Sequence, residues 1–190
     1  GVPAILNRIS FSGELGYEIY VAPQFHLKLF EEIELHGKDL SLKLYGARAL
    51  MALRLEKNWG VWTLDFRPDF TAAESGLDAF INWNKDFIGK EASLIEKKQG
   101  VKKKLVTMTI DTKDIDVTND EAILKDNKCV GYVTSGGYAH HVKKSIALGY
   151  VPVNLSKHDT TLDVEINGKL YLARVTSKPL YDANGGKMRG

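Results

Sequence analysis

The chain has a single cysteine, Cys129, among 190 residues. One thiol closes no intramolecular disulfide and supplies too few sulfur ligands for a structural zinc site, so a reducing compartment suits the protein. No apolar run approaches the roughly 20 residues that span a bilayer, and the opening GVPAILNRISF lacks the basic-then-apolar layout of a signal peptide. Membrane insertion is not expected. A surplus of one charge is missing too, since 26 basic and 24 acidic residues leave a formal net charge of +2. Proteins that neutralise phosphate along a duplex carry a denser positive excess, so nucleic-acid binding is disfavoured. Also absent are a GxGxxG opening a helix, a GxxxxGKS or GxxxxGKT loop and a GxSxG elbow, which sets aside those nucleotide and acyl-transfer chemistries. His140 and His141 are adjacent and have no second ligand pair at useful spacing, so no metal site is expected and a surface or hairpin role is preferred for them.

What is present describes an ordinary globule. With 44% apolar and 26% charged residues the chain can bury a core unaided, and its length suits one large domain or two small ones. It begins with Gly1 and is in strand-like sequence by residue 9, which predicts a piece of something longer. LNRISFSGELGYEIYVA reads as two extended runs about a glycine-rich turn, with Ile9 and Phe11 alternating before it and Tyr17, Ile19 and Val21 after it. Glu18 and Tyr20 then share the opposite face. Pro23 opens a helix that ends near Gly37, and ARALMALRLEK forms a second helix, with Ala47, Leu50, Met51 and Leu53 inward and Arg48 and Arg54 on more polar faces. Residues 58–84 read as an aromatic packed loop ending in a strand. A helix over Lys90–Lys98 and the basic, flexible connector KKQGVKKK follow, its lysines more in keeping with a solvated linker than with a polyanion site. Six strand patterns come next, KLVTMTID, EAILK, CVGYVTS, SIALGYV, LDVEI and KLYLARV, separated by turn residues such as NDE, DNK and NGK. They predict a small antiparallel barrel or sandwich.

FSGELGYE, residues 11–18, concentrates two carboxylates, two glycines and two aromatics. Such a block is commonly a hairpin turn with solvated acids. It also suits a ligand whose edge carries adjacent N–H donors, because an ionised carboxylate accepts two of them in parallel, and the flat pterin edge of a folate is such a ligand.

FSGELGYE, ALRLEKNWG, ESGLDAFINW, FIGKEAS, CVGYVTSGGY with KKSIALGYV, and PLYD with MRG occur in the order found in the glycine cleavage T-protein (aminomethyltransferase) superfamily. Across essentially its whole length the chain resembles the folate-binding region of that family. SGELGYE and RLEK resemble the dimethylglycine and sarcosine dehydrogenase branch more than the TGEDG and RLEAG of T-proteins. The resemblance implies an α+β fold: a partial ferredoxin-like α/β lobe over residues 1–88, the C-terminal part of the folate-binding domain, then a small antiparallel β-barrel lobe over 89–190.

It also implies roles. Glu18 falls where the family holds the pterin edge, and Phe11 stands where relatives often carry tyrosine. Trp59 follows RLEK at another aromatic position of the site. T-proteins carry a folate-serving arginine four residues ahead of RLE; Leu50 stands there, and Arg48 is the nearby candidate, out of register. Arg189, in the terminal MRG, is a candidate for the cofactor's distal carboxylates or for closing the pocket. The family's essential aspartate belongs to a region this chain lacks, and Asp65 is a structural position, so no catalytic residue is expected here and the piece alone is expected to be inactive. The implied activity is transfer of a one-carbon unit from an N-methyl amine to tetrahydrofolate, with FAD confined to an upstream domain of the parent chain. The compartment is the bacterial cytoplasm or the mitochondrial matrix. Two other readings stand beside it: a stand-alone aminomethyltransferase or folate-dependent demethylase of another methyl donor, and a non-catalytic scaffold or regulatory subunit.

Overall fold

The computed structural model describes residues 1–190. Strands β1 (Ala4–Asn7) and β2 (Glu18–Val21) pair antiparallel, with Ala4 opposite Val21 and Asn7 opposite Glu18. The alternation of Ile9 and Phe11 does not extend a strand, contrary to expectation. Residues 8–17 form an irregular link instead, because Gly13 takes a left-handed φ of +88° and the chain at Gly16 passes against the Ile9 carbonyl. Pro23 opens a 3-10 turn over Pro23–Phe25, where its missing N–H costs nothing, and α1 (His26–Gly37) continues from it. Within residues 1–46 only Gly13 and Gly37 are buried, while Ile5, Leu6, Ile19, Leu27 and Phe30 stay exposed. This lobe has no core of its own.

Helix α2 (Ala47–Glu56) corrects a second expectation. Arg54, read as a polar-face residue, is 1% exposed, and Leu55 and Glu56 are buried beside it. The reason lies outside the helix, in Asp65, which is wholly buried and accepts from Arg54 Nη1 at 2.8 Å, the Val61 amide at 2.8 Å, the Ser135 hydroxyl at 2.8 Å and the Thr134 hydroxyl at 2.5 Å. Arg54 also donates to the Trp59 carbonyl and, through Nη2 at 2.7 Å, to Ser135. The pair therefore ties helix, loop and barrel at one point. Asn58, in a left-handed conformation (φ +58°), stops the regular helix geometry. The stretch up to residue 89 is irregular and ends in no strand. Many of its backbone amides bond back over three to five residues, as in Asp65 to Val61 and Leu77 to Ala72, which is the pattern of turns and not of a ladder. Not all its aromatics are packed either. Trp62 and Phe80 are exposed, whereas Phe70 stacks on Tyr150 with centroids 3.5 Å apart.

Helix α3 (Lys90–Gln99) and strand β3 (Lys103–Ile110) absorb most of the lysines expected to form a flexible connector. Lys97 and Lys98 end the helix, where positive charge suits its dipole, and Lys103 and Lys104 begin the strand, leaving 100–102 as the link. The remaining strands are β4 (Ala122–Lys125), β5 (Lys128–Ala139), β6 (Lys144–Pro152), β7 (Thr161–Ile166) and β8 (Lys169–Thr176). They close an antiparallel barrel in the order β3-β6-β5-β4-β7-β8, with no unpaired edge, and a one-turn helix α4 (Gly186–Arg189) ends the chain. The fold is thus α+β, with the barrel carrying the core.

Alternation explains the barrel. Leu162, Val164 and Ile166 of β7 point inward between the outward Asp163 and Glu165, and Ala173 and Val175 of β8 flank Arg174. By contrast β6 is buried continuously from Ser145 to Val151, since α2 and the loop that follows it cover its outer side. Asp126–Asn127 and Asn167–Gly168, all at positive φ, make the two tight turns. Gly131 is required where β5 crosses β6, because a Cβ there would run into the Tyr150 carbonyl. Tyr150 donates to the Asp65 carbonyl at 2.9 Å and accepts from Ser75, which gives the barrel a second grip on the same loop.

Replacing Asp65 by Ala strands the Arg54 charge in the interior. The expected cost is about 3–5 kcal/mol in urea unfolding. Replacing both partners by apolar residues of similar volume (Arg54→Met with Asp65→Leu) should cost less than the single change; equal or smaller loss in Asp65→Ala would contradict the clamp.

Candidate functional site

Glu18 opens β2 and is exposed. Residues two apart on a strand share a face, and the Tyr20 hydroxyl accordingly donates to Glu18 Oε2. That hydrogen bond, followed by the negative charge of Glu18, raises the Tyr20 pKa above its ordinary 10.0. No protein donor reaches Glu18 Oε1. An acceptor-only group with one oxygen oriented and the other open can take a donor edge from outside. Phe11 lies half-buried in the link that precedes it.

No hydrogen bond, ion pair or ring contact joins the other predicted residues to Glu18. Trp59 is half-buried just past α2, with the Lys57 ammonium 5.8 Å from its ring centroid. Arg48 is exposed on the first turn of α2 and lines a cavity of about 640 Å³ between that helix and β5, together with Met51, Leu55, Tyr138 and His140. Glu18, Phe11, Trp59 and Arg189 do not line it. Arg189 folds back on its own turn, its Nη2 donating to the Asn184 carbonyl at 2.7 Å.

A cluster that the sequence did not disclose lies at the end of α2. Its members come from four separate stretches, residues 13–14, 56–57, 141 and 181–182. Glu56, 1% exposed, accepts from the His141 backbone amide at 2.7 Å and pairs with His141 Nδ1 at 2.7 Å. His141 lies in the turn between β5 and β6, stacked on Tyr181 at 4.5 Å. Lys57, 3% exposed, donates to the Asp182 carbonyl at 2.6 Å and to Asp182 Oδ2 at 3.2 Å. The Tyr181 hydroxyl donates to Glu14, the first acid of FSGELGYE, and this bond above all pushes the Tyr181 pKa up to about 12. Gly13 lies over the aliphatic stem of Lys57, which fills the space a Cβ would take. The two acids of the motif therefore differ in kind, with Glu14 tied down and Glu18 open. One signal was available: RLEK places three charges at a helix end, where a buried, paired set is the alternative to a solvated one.

Residues 1–85 match the family described as GCVT N-terminal domain, and residues 103–182 match the glycine cleavage T-protein C-terminal barrel domain. Mitochondrial dimethylglycine dehydrogenase of Homo sapiens is 39% identical over 181 residues, 94% of this chain and 21% of that protein. An aminomethyltransferase of Desulfitobacterium hafniense is 34% identical over 186 residues, 97% of this chain and 51% of that one. The crystal structure of glycine cleavage system aminomethyltransferase T from Bartonella henselae superposes with a TM-score of 0.86 at 26% identity, covering 94% of this chain and 50% of its own. The chain thus spans about half the length of the aminomethyltransferases it matches, and about a fifth of the dehydrogenase.

Burial tends to raise the Asp182 pKa, but the Lys57 ammonium and the amides of Lys187 and Gly186 hold it below the ordinary 3.8. Its contribution is therefore present above that value and lost as pH falls through the lowered one. Carboxyl carbon NMR should place the Asp182 midpoint under 3.8, and Lys57→Met should move it upward. An unmoved midpoint would show that the ion pair does not form in solution.

Proposed function

Because the chain belongs to the glycine cleavage T-protein superfamily, a folate-dependent aminomethyltransferase family that includes dimethylglycine dehydrogenase, we propose that it is the C-terminal folate-binding part of a demethylating enzyme of the dimethylglycine or sarcosine dehydrogenase kind. The intact protein would transfer a one-carbon unit from an N-methyl amine to tetrahydrofolate. Supporting this branch over a stand-alone aminomethyltransferase are the SGELGYE and RLEK blocks and the 39% identity to the human dehydrogenase.

The observation that carries the folate assignment is the state of Glu18, a carboxylate with one oxygen held by Tyr20 and the other open. Residues of this kind fit a pterin edge. Tetrahydrofolate, when bound, supplies the amine nitrogens that accept the one-carbon unit. Glu18 would hold the ring's N–H and exocyclic amine, and Phe11 and Trp59 would offer aromatic faces. Arg48 would take the place of the folate-serving arginine of T-proteins, and Arg189 would meet the distal carboxylates or close the pocket. Residues 1–88 and 89–190 would act as separate lobes of one folate-binding unit. The reading assigns no catalytic acid to this chain, so the piece alone is expected to be inactive, and it places FAD wholly in upstream domains. It places the protein in the mitochondrial matrix or in a bacterial cytoplasm; no helix here is long and apolar enough to cross a membrane.

Titrating the intact protein with tetrahydrofolate tests the assignment. Glu18→Gln removes a charge-assisted contact worth about 1.5–3 kcal/mol, so affinity should fall roughly 10- to 150-fold with the fold retained. No binding by the wild type would favour a scaffold without folate chemistry, and unchanged affinity in the variant would remove Glu18 from the site. A flavin absorption band in the intact protein separates the dehydrogenase from a stand-alone transferase.

A further inference from the structure

The link bearing the first acid of FSGELGYE has an unusual set of anchors. Residues 8–17 join two four-residue strands and bury only Gly13. Within the link, Ser10 Oγ accepts from the Gly13 amide and Ser12 Oγ from the Glu14 amide. Every side-chain hydrogen bond that the link makes to distant parts of the chain goes to one place, the segment after β8. Tyr181 donates to Glu14, and Arg8 Nη2 donates to the carbonyls of Met188 at 3.3 Å and Arg189 at 2.7 Å.

That segment is itself tied to the rigid part of the molecule. The Tyr181 amide donates to the Glu56 carbonyl at 3.1 Å, and Lys57 grips Asp182 through both its carbonyl and its carboxylate. His141 stacks on the Tyr181 ring from the barrel side. Asp182 in turn accepts from the amides of Gly186 and Lys187, at 2.9 and 3.1 Å, which shapes the last turn that Arg8 holds. A path of direct contacts thus runs from the end of α2, through residues 181–189, to two points of the link, Arg8 at its start and Glu14 beyond its middle. Glu18 is four residues beyond Glu14. Residues 1–46 have no core, so beyond the β1–β2 ladder and the packing of Gly13 on Lys57 these contacts are what fix where that acid stands.

We propose that the C-terminal segment is a strap that sets the position of the Glu18-bearing link, with Tyr181 and Lys57 as positioning residues for the ligand that Glu18 receives. The strap rests on contacts alone; its ligand role rests on the folate reading of Glu18. Tyr181 keeps its proton well beyond neutral pH, so its hydroxyl remains a donor for Glu14 there.

The test uses the intact protein and two readouts, hydrogen–deuterium exchange and tetrahydrofolate titration. Tyr181→Phe keeps the ring stacked on His141 and removes only the hydroxyl. It should speed exchange across residues 8–17 by roughly tenfold, the scale of one hydrogen bond to a charged group, and leave the barrel strands unchanged. Tetrahydrofolate affinity should fall several-fold. Adding Glu14→Gln should loosen the link no further, because both changes break the same contact. Arg8→Gln, which releases the other clasp, should act in the same direction. Glu18→Gln should weaken the ligand without loosening the link, an outcome that separates holding the ligand from placing its holder. Unchanged exchange in 8–17 with Tyr181→Phe, or a loosened link with wild-type affinity, would overturn the proposal. Failure of the wild type to bind tetrahydrofolate would overturn the folate reading and the ligand role together, and exchange alone would then decide the strap.

Discussion

A guanidinium and a carboxylate, Arg54 and Asp65, are sealed inside this molecule, and the placement of nearly everything else follows from them. Burial lowers the Arg54 pKa from its ordinary value even though Asp65 opposes the shift. Desolvation of buried charges commonly offsets much of what an ion pair gains, so the pair is not primarily a source of stability. What the pair supplies is geometry. Asp65 has donors from α2, from its own loop and from β5, so helix and barrel can meet in only one relation. The helix then projects Glu56 and Lys57 at fixed points, and from those points the barrel turn and the C-terminal segment take their positions.

The two lobes rest on different physics. The barrel buries thirteen mutually packed apolar residues and leaves no strand edge, so it is stabilised by its own interior. Residues 1–46 bury almost nothing and expose apolar side chains on both their ribbon and α1. Their order derives from α2 and from polar contacts with the distant end of the chain. In such an arrangement a functional acid can be presented at an open surface while the groups that locate it are buried some distance away.

The barrel was legible in the sequence because its signals are local. Leu162, Val164 and Ile166 alternate within six residues, and Asn167–Gly168 states its own turn. Glu18 and Tyr20 were legible as sharing a face for the same reason. Arg54 was not, since a charge in a helical repeat reads as surface unless its partner is known, and its partners stand at 65 and 135. The cluster around Tyr181 was hidden more deeply, being assembled from positions 14, 56–57, 141 and 181–182. Ile9 and Phe11 misled in the opposite sense: two alternating apolar residues imitate a strand, but the left-handed Gly13 turns the chain before a ladder can form. The lysines of KKQGVKKK imitate a linker, yet a helix end and a strand start each tolerate solvated charge.

Membership of the family and the matching fold leave one question of chemistry open, namely what meets the free oxygen of Glu18. A crystal structure of the intact protein with a reduced folate answers it most directly. The account predicts the Glu18 carboxylate within hydrogen-bond distance of the pterin ring N–H and its exocyclic amine, about 2.7–2.9 Å, with the Tyr20 contact kept. A pterin bound elsewhere, with Glu18 surrounded by water, would contradict it.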